Sequence, residues 1–352
     1  MTSSLSVRSS ADLIAAVPFL LGFHPADSLV VVGVRGRRVH FAARYDLPTA
    51  DLVEDLASHL AELIARQSIN GATLLGYGAA DRVTPAVERA ADELRRTGTT
   101  VLDVLRVTDG QFWSYLCAEP RCGPSPCPPD DSAVAAAATF AGHVALPDRD
   151  ALVAQLAPVA GAEREAMVAA TARAQGRLTH EFGTDLGGGD FARMLGRAGR
   201  RAVRDAERRY RSKRRLTDDE VAWLGMTLVE KGVRDYAWER TGVQEWRITL
   251  WTDVLRRVEP GYAPAPASLL SFAAWRRGMG ALARASADRA LAHDPEYVMA
   301  TQMDELLNRG VPPAVARNWP HVTRSDFDSS ASSRAVGTRN GGAHRRPRRR
   351  SV

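Results

Sequence analysis

The spacing of apolar and polar positions divides the chain into two unlike halves. Residues 28–34, SLVVVGV, form a β-branched run, and the turn RGRR followed by VHFAARYDL returns as a second strand. That pattern predicts an antiparallel hairpin. Before it, residues 10–22 read as a short helix, with Ser10 as N-cap, Asp12 in the first turn, Gly22 at the stop and Pro18 kinking or splitting it. After it, Leu52, Leu56, Leu60 and Leu63 fall on one face of a helix over residues 49–67, with Thr49 or Asp51 near its start. GATLLGYG reads as a third strand, and RVTPAVERAADELRRTG as a helix with Pro85 in its first turn and Gly98 closing it. TVLDVLRVTDGQFWSYLC holds two more strands around the hairpin signal Asp109-Gly110. The order is helix, β, β, α, β, α, β, β.

Beyond the proline-rich stretch 120–129 the period becomes almost wholly helical. Segments over 148–175, 190–213, 217–241, 244–258 and 265–310 carry it, after the helical DSAVAAAATFAGHVAL. Within WRRGMGALARASADRALAHDP, Ala283, Ala287, Ala290 and Pro295 occupy the positions of the second half of a tetratricopeptide repeat. The first helix keeps Leu270 but lacks that repeat's aromatic residues. About three repeats are needed for a free solenoid, so these belong to a compact helical domain. The expected organisation is a disordered N-terminus (1–9), an α/β domain with a mixed sheet (10–127), an all-α tetratricopeptide-like domain (128–320) and a disordered basic tail (321–352).

Charge adds one qualification. The chain of 352 residues has a net charge of +6. Residues 321–352 hold eight arginines against two aspartates, a surplus of six, so the rest of the chain is balanced. No apolar run reaches the roughly 20 residues of a membrane span, and no leader pattern is present. Cytoplasmic residence without membrane contact is the expectation. Cys117, Cys122 and Cys127 are evenly spaced in CAEPRCGPSPCPPD. An odd count argues against a disulfide framework, and a zinc site lacks a fourth local ligand unless His143 folds back. Free thiols in a proline-stiffened loop are the simpler reading.

The stretches AAVPFLLGFHPADSLVVVG, VLRVTDGQFWSYLC, LTDDEVAWLGMTLVEKGVRDYAWER and LLSFAAWRRGMGALARASADRALAHDPEYVMA occur here in that order. Together they resemble an actinobacterial domain-of-unknown-function family, DUF4192, over most of residues 10–320. Members of that family show adjacent cysteines after the SYLC strand, whereas Cys122 and Cys127 are separated here. The resemblance implies an actinobacterial, cytosolic setting and no particular reaction, ligand or cofactor.

Strand directions give a sharper candidate. Helix 49–67 is expected to return the chain to a third strand parallel to the second in a right-handed crossover, with the fourth strand parallel to the third. One sheet edge then collects His24, Asp27 and Ser28, the strand-two end with Asp46 and Asp51, Asp81 of GYGAAD, and the Asp109 turn. Carboxyl ends of parallel strands are where open α/β sheets bind ligands. His24, Asp27, Asp46 and Asp81 are therefore the weak candidates for acid–base or cation-binding work. The competing reading makes Asp27 and Ser28 turn residues, Asp51 a cap, and His24 a packing group under Phe23. Ser28, Asp27 and His24 do not suit a nucleophilic triad, because neighbours in one turn rarely align as nucleophile, base and orienter. GYGAAD places Asp81 at the third glycine of a dinucleotide fingerprint, and GTDLGGGD lacks a phosphate-loop lysine, so neither motif holds.

Finally, RMLGRAGRRAVRDAERRYRSKRR carries eleven basic and two acidic residues. Arg193, Arg197, Arg200, Arg204, Arg208, Arg211 and Arg215 step along one helical face, with Leu195, Ala198, Ala202 and Ala206 on another. Such a stripe suits a polyanion such as nucleic acid, or simply a solvated face. Three functions follow: a non-enzymatic protein binding a protein partner through the helical half, a small-ligand enzyme or sensor at the acidic sheet edge, and a polyanion-binding module.

Overall fold

The computed structural model describes residues 7–36, 38–67, 69–117, 123–182 and 188–318. Six strands form one mixed sheet in the order β2-β1-β3-β4-β5-β6. They are β1 (Ser28–Arg35), β2 (Arg38–Asp46), β3 (Gly71–Tyr77), β4 (Thr100–Thr108), β5 (Gln111–Ser114) and β6 (Ser125–Pro126). As the hairpin signal implies, β1 pairs antiparallel with β2, and β3 runs parallel to β4. The crossover differs from expectation. β3 runs in the direction of β2 but pairs with β1, antiparallel, with Ser28 opposite Tyr77. Burial explains the order. Leu29, Val30, Val31 and Val32 are all fully buried, so β1 needs neighbours on both sides and both faces covered. β2 carries Arg38, His40 and Arg44 and takes the edge.

Three helices cover the sheet. α1 (Ser10–Leu21) packs on one face over Val30, Val32, Leu75 and Leu105 through Leu13, Ile14 and Val17. α2 (Val53–Arg66) and α3 (Ala80–Arg96) cover the other over Leu29, Val31 and Leu74. Ser9, one residue before the expected position, caps α1 by accepting from the Asp12 amide, and Gly22 ends it with φ of 87°. The inward face of α2 is also shifted: Ala57, Leu60, Ala61, Leu63 and Ile64 are buried, while Leu52 is 49% exposed. A 3₁₀ turn over Ala50–Leu52 rotates Leu52 out of the α-helical stripe.

Ten helices follow, shorter than the periodicity suggests: α4 (Ala133–Phe140), α5 (Arg149–Ala154), α6 (Gly161–Phe182), α7 (Gly188–Arg211), α8 (Asp218–Thr227), α9 (Lys231–Glu239), α10 (Glu245–Arg257), α11 (Pro264–Arg276), α12 (Gly280–His293) and α13 (Val298–Asn308). Glycines in the left-handed region, Gly142 and Gly278, interrupt what reads as continuous helix. α11 is buried on every side from Pro264 to Trp275, which makes it the central helix of this half. α12 lies closely against it, with Ala283, Ala287 and Ala290 fully buried and the Ser271 hydroxyl donating to the Ala283 carbonyl. α7 buries Leu195, Gly199, Val203, Ala206 and Tyr210. Ala198 and Ala202, expected on that stripe, are only half-buried, because it is Gly199 that approaches Thr227 and Val233, with Val203 buried on the same face.

The described residues up to Pro313 form one compact unit. Within it the sheet-bearing part meets the last helices where Gln67 donates its amide to the Gly310 carbonyl. No described helix is long and apolar enough to cross a membrane. The segments expected to be disordered, 1–9 and 321–352, lie outside the described residues apart from 7–9.

Candidate functional site

GFHPADS, which links α1 to β1, is held at both ends. The Leu146 amide donates to the Gly22 carbonyl, and the His24 amide donates to the Leu146 carbonyl. The Leu47 amide donates to the Asp27 carbonyl. Phe23 and Pro25 are buried between these anchors, while His24 and Asp27 project outward. Asp27 adopts φ of 42°, a left-handed conformation that Asp tolerates better than most residues. Gly78, φ 133°, runs beside it: a β-carbon there would lie 3.2 Å from Asp27 Oδ1. Glycine is therefore needed both for the backbone and for the close approach.

This corner forms one wall of a cavity of about 660 Å³. It opens on the α1 face, where β3 and β4 end and β1 begins. Apolar groups from α1 and β4, including Ile14, Phe19 and Val107, form part of its lining, and α4 and the loops before and after it close the far side. The polar lining includes His24, Asp27, Asp109, Asp130 and His143, and among the described residues no lysine or arginine lines it. The size and the mixture of apolar wall with a few polar groups suit a small molecule.

Two buried hydroxyls stand out. Tyr77 lines the cavity and is 8% exposed, yet its hydroxyl has no hydrogen-bond partner among the described residues. Burial, with a smaller contribution from neighbouring Cys127, holds this phenol above its ordinary pKa. It stays protonated at neutral pH. Ser28, opposite Tyr77 in the strand register, is fully buried with an equally unpartnered hydroxyl. The turn role expected for Ser28 is not what its side chain does. A buried polar group left unpaired costs about 1–3 kcal/mol, so such atoms mark places where a partner is to be expected.

The four sequence candidates are thus separated. His24 and Asp27 line the cavity; Asp46 and Asp81 do not. Asp46 is exposed and pairs with Arg44 at 2.5 Å. Asp81 lies in the first turn of α3, also exposed. Asp51 is exposed too, and its hydrogen bond with the Thr49 side chain lowers its pKa. Asp109 joins the cavity, with the Thr108 hydroxyl donating to it at 3.2 Å. Tyr77, Cys127 and Asp130 are additions that the sequence did not single out for this edge. Each comes from a segment read as strand or linker.

Cysteine chemistry departs from expectation. Cys117 is disulfide-bonded rather than a free thiol, while Cys127 is free and half-buried. The Cys127 amide donates to the Gly110 carbonyl at 2.8 Å. Burial raises the Cys127 pKa, so it is a poor nucleophile at neutral pH. Cys122 lies outside the described residues. Among the described residues no three His, Cys, Asp or Glu side chains are grouped to hold a metal ion.

The arginine face of α7 is separate from this cavity. Arg193, Arg197, Arg204, Arg208, Arg211 and Arg215 are exposed, and Arg200 is half-buried. Arg208 pairs with Asp205 at 2.7 Å, and Arg215 pairs with Asp253.

A family model described as a domain of unknown function, DUF4192, matches residues 11–314. No curated protein and no solved structure matches the chain.

Proposed function

The chain belongs to the DUF4192 family, and on that footing we propose that it binds a small organic cation in the cavity between α1, α4 and the ends of β3 and β4. One observation carries this reading: a 660 Å³ chamber whose described wall holds Asp27, Asp109 and Asp130 with no lysine or arginine among the described residues, and which includes the unpartnered Tyr77 hydroxyl. Three carboxylates in a partly apolar enclosure favour a ligand with positive charge and oppose an anion. His24 and His143 supply further hydrogen-bonding groups. The function is binding or sensing, because the thiol and the phenol in the wall are both held protonated and no activated nucleophile stands beside them.

Two expectations take a lower place. A protein partner on the helical half rests on helix packing alone. Tetratricopeptide-type packing of α11 on α12 is supported by the buried Ala283, Ala287 and Ala290 and remains a proposal, as do the actinobacterial and cytoplasmic assignments.

The test is thermal denaturation with choline, putrescine, arginine and ethanolamine, against acetate and phosphate as anionic controls. A ligand at a hundred times its Kd stabilises by about 2.7 kcal/mol. At about 2.1 cal/mol/K per residue, that raises the Tm of a unit of this size by roughly 4 °C. The shift should vanish in Asp27→Asn/Asp130→Asn, whose unliganded Tm should stay within a degree or two of wild type. Stabilisation by the anions alone, or equal amine shifts in the variant, would refute the reading.

A further inference from the structure

The basic run 193–215 plays no part in the cavity, and its charges are sorted by the fold. Glu207 turns inward, 2% exposed, and is neutralised by Arg240 at 2.5 Å and Arg247 at 2.7 Å. Asp205 is held between Arg208 and Arg201. What remains outward on α7 is cationic. Arg197, Arg204 and Arg211 are exposed with no carboxylate partner among the described residues, and Lys213 and Arg214 continue the series beyond the helix end. From Arg197 to Arg211 the three guanidinium groups recur over about 21 Å of helix.

Aromatic rings sit beside two of them. Arg204 donates to the Tyr236 hydroxyl at 3.4 Å, and Arg240 lies 5.2 Å from the same ring. Arg211 lies 5.5 Å from the Trp246 ring, with Arg247 at 4.2 Å. Both rings are half-buried, at α9 and at the start of α10, beside α7. Cations repeating along a helix, with aromatic rings at two of them, match what a single strand presents: a phosphate line and planar bases that stack on aromatic faces or guanidinium planes. An acidic protein would use the arginines but would have no need of the rings.

We propose that the outward face of α7, with Tyr236 and Trp246, is a binding surface for single-stranded nucleic acid. Contacts come chiefly from Arg197, Arg204 and Arg211 to phosphates, and base stacking involves Trp246. With about four phosphates neutralised, the logarithm of affinity should fall against the logarithm of salt with a slope near −2.8. Raising salt from 50 to 200 mM would then weaken binding about 50-fold.

The experiment is fluorescence anisotropy of the full chain with labelled 20-nucleotide dT and U oligomers, a duplex of the same length, and poly-glutamate as competitor. The expected result is saturable single-strand binding at 50 mM salt, tighter than to duplex, with the stated slope. Arg197→Ala/Arg204→Ala/Arg211→Ala should reduce the slope by about 2 while leaving the Tm unchanged. Trp246→Leu should weaken binding at every salt concentration without altering the slope. Absence of binding at 50 mM salt overturns the proposal. So does unchanged binding by the triple variant, which would place it on the arginine-rich C-terminal segment. Preference for duplex, or full displacement by poly-glutamate at equal charge, would likewise reject a single-strand site.

Discussion

Glu207 provides the most demanding test of how α7 is held. It is the one carboxylate of the basic run turned fully inward, its side chain 3% exposed. It accepts from Arg240 Nε at 2.8 Å and from Arg247 Nη1 at 2.7 Å, linking α7 to the end of α9 and to α10. Arg247 is itself 7% exposed, and burial lowers its pKa despite the carboxylate beside it. Glu207→Gln preserves shape and removes the charge, leaving Arg247 buried without a counter-ion. Breaking a buried pair in this way costs about 3–5 kcal/mol. The lower end applies here, because Arg247 keeps Gln244 Oε1 at 2.9 Å and the Trp246 ring. Arg240, 37% exposed, can turn to solvent. About 3 kcal/mol corresponds to a fall in Tm of roughly 4–5 °C for a unit of this size. Urea denaturation followed by circular dichroism would measure it, with Arg247→Met and the double variant completing a thermodynamic cycle. The double variant should recover most of the loss, since a neutral Gln–Met pair leaves no buried charge without a counter-ion. A Glu207→Gln cost below about 1 kcal/mol, or a double variant as unstable as the sum of the singles, would refute the reasoning.

Three further outcomes are expected. Gly78→Ala should cost about 1–3 kcal/mol, from a φ of 133° that alanine resists and a β-carbon 3.2 Å from Asp27 Oδ1, and should weaken any amine-induced Tm shift at the same time; a neutral effect on both in thermal melts would contradict the close approach. Glu93, paired first with Arg96 and then with Arg89, has its pKa lowered from 4.5 to about 2. A carboxylate depressed on folding contributes stability that is complete above its unfolded pKa and is lost as pH falls toward the folded one. Denaturation midpoints should therefore drop between about pH 4.5 and 2, and Glu93→Gln should flatten that part of the profile; an unchanged profile would show the pair to be inert. Cys127, raised in pKa by burial, should alkylate with iodoacetamide more slowly than a model thiol at pH 7.5, read by peptide mass spectrometry, and a cavity-bound amine should slow it further. Rapid labelling would mean that the wall is open at that point.

Local features were legible in the sequence wherever one residue's conformational or burial preference decides the outcome. Gly22 closes α1 and Asp109-Gly110 turns the chain between β4 and β5, whereas α3 begins at Ala80, two residues ahead of the expected start, so Pro85 lies inside it rather than in its first turn. The sheet end at which the cavity opens also follows from strand directions. Convergence could not, because it depends on strand order and on which face each side chain leaves. β1 is apolar on both faces and takes an interior place, which pushes β2 to the edge and puts one strand between Asp46 and the ends of β3 and β4. α3 leaves β3 toward the face that holds Leu29 and Leu74, carrying Asp81 away from the α1 face where the cavity opens. The same two facts deliver Tyr77, whose neighbour Leu75 already belongs to the α1 face, and Asp130 and His143, which reach it only because α4 packs on α1. A stretch such as PPDDS carries no periodicity to announce a wall residue; its role comes from contacts with segments more than a hundred positions earlier in the chain. The carboxylates that line the cavity are therefore those brought to one face by packing, and Asp46 and Asp81 differ from Asp27 in location rather than in chemistry.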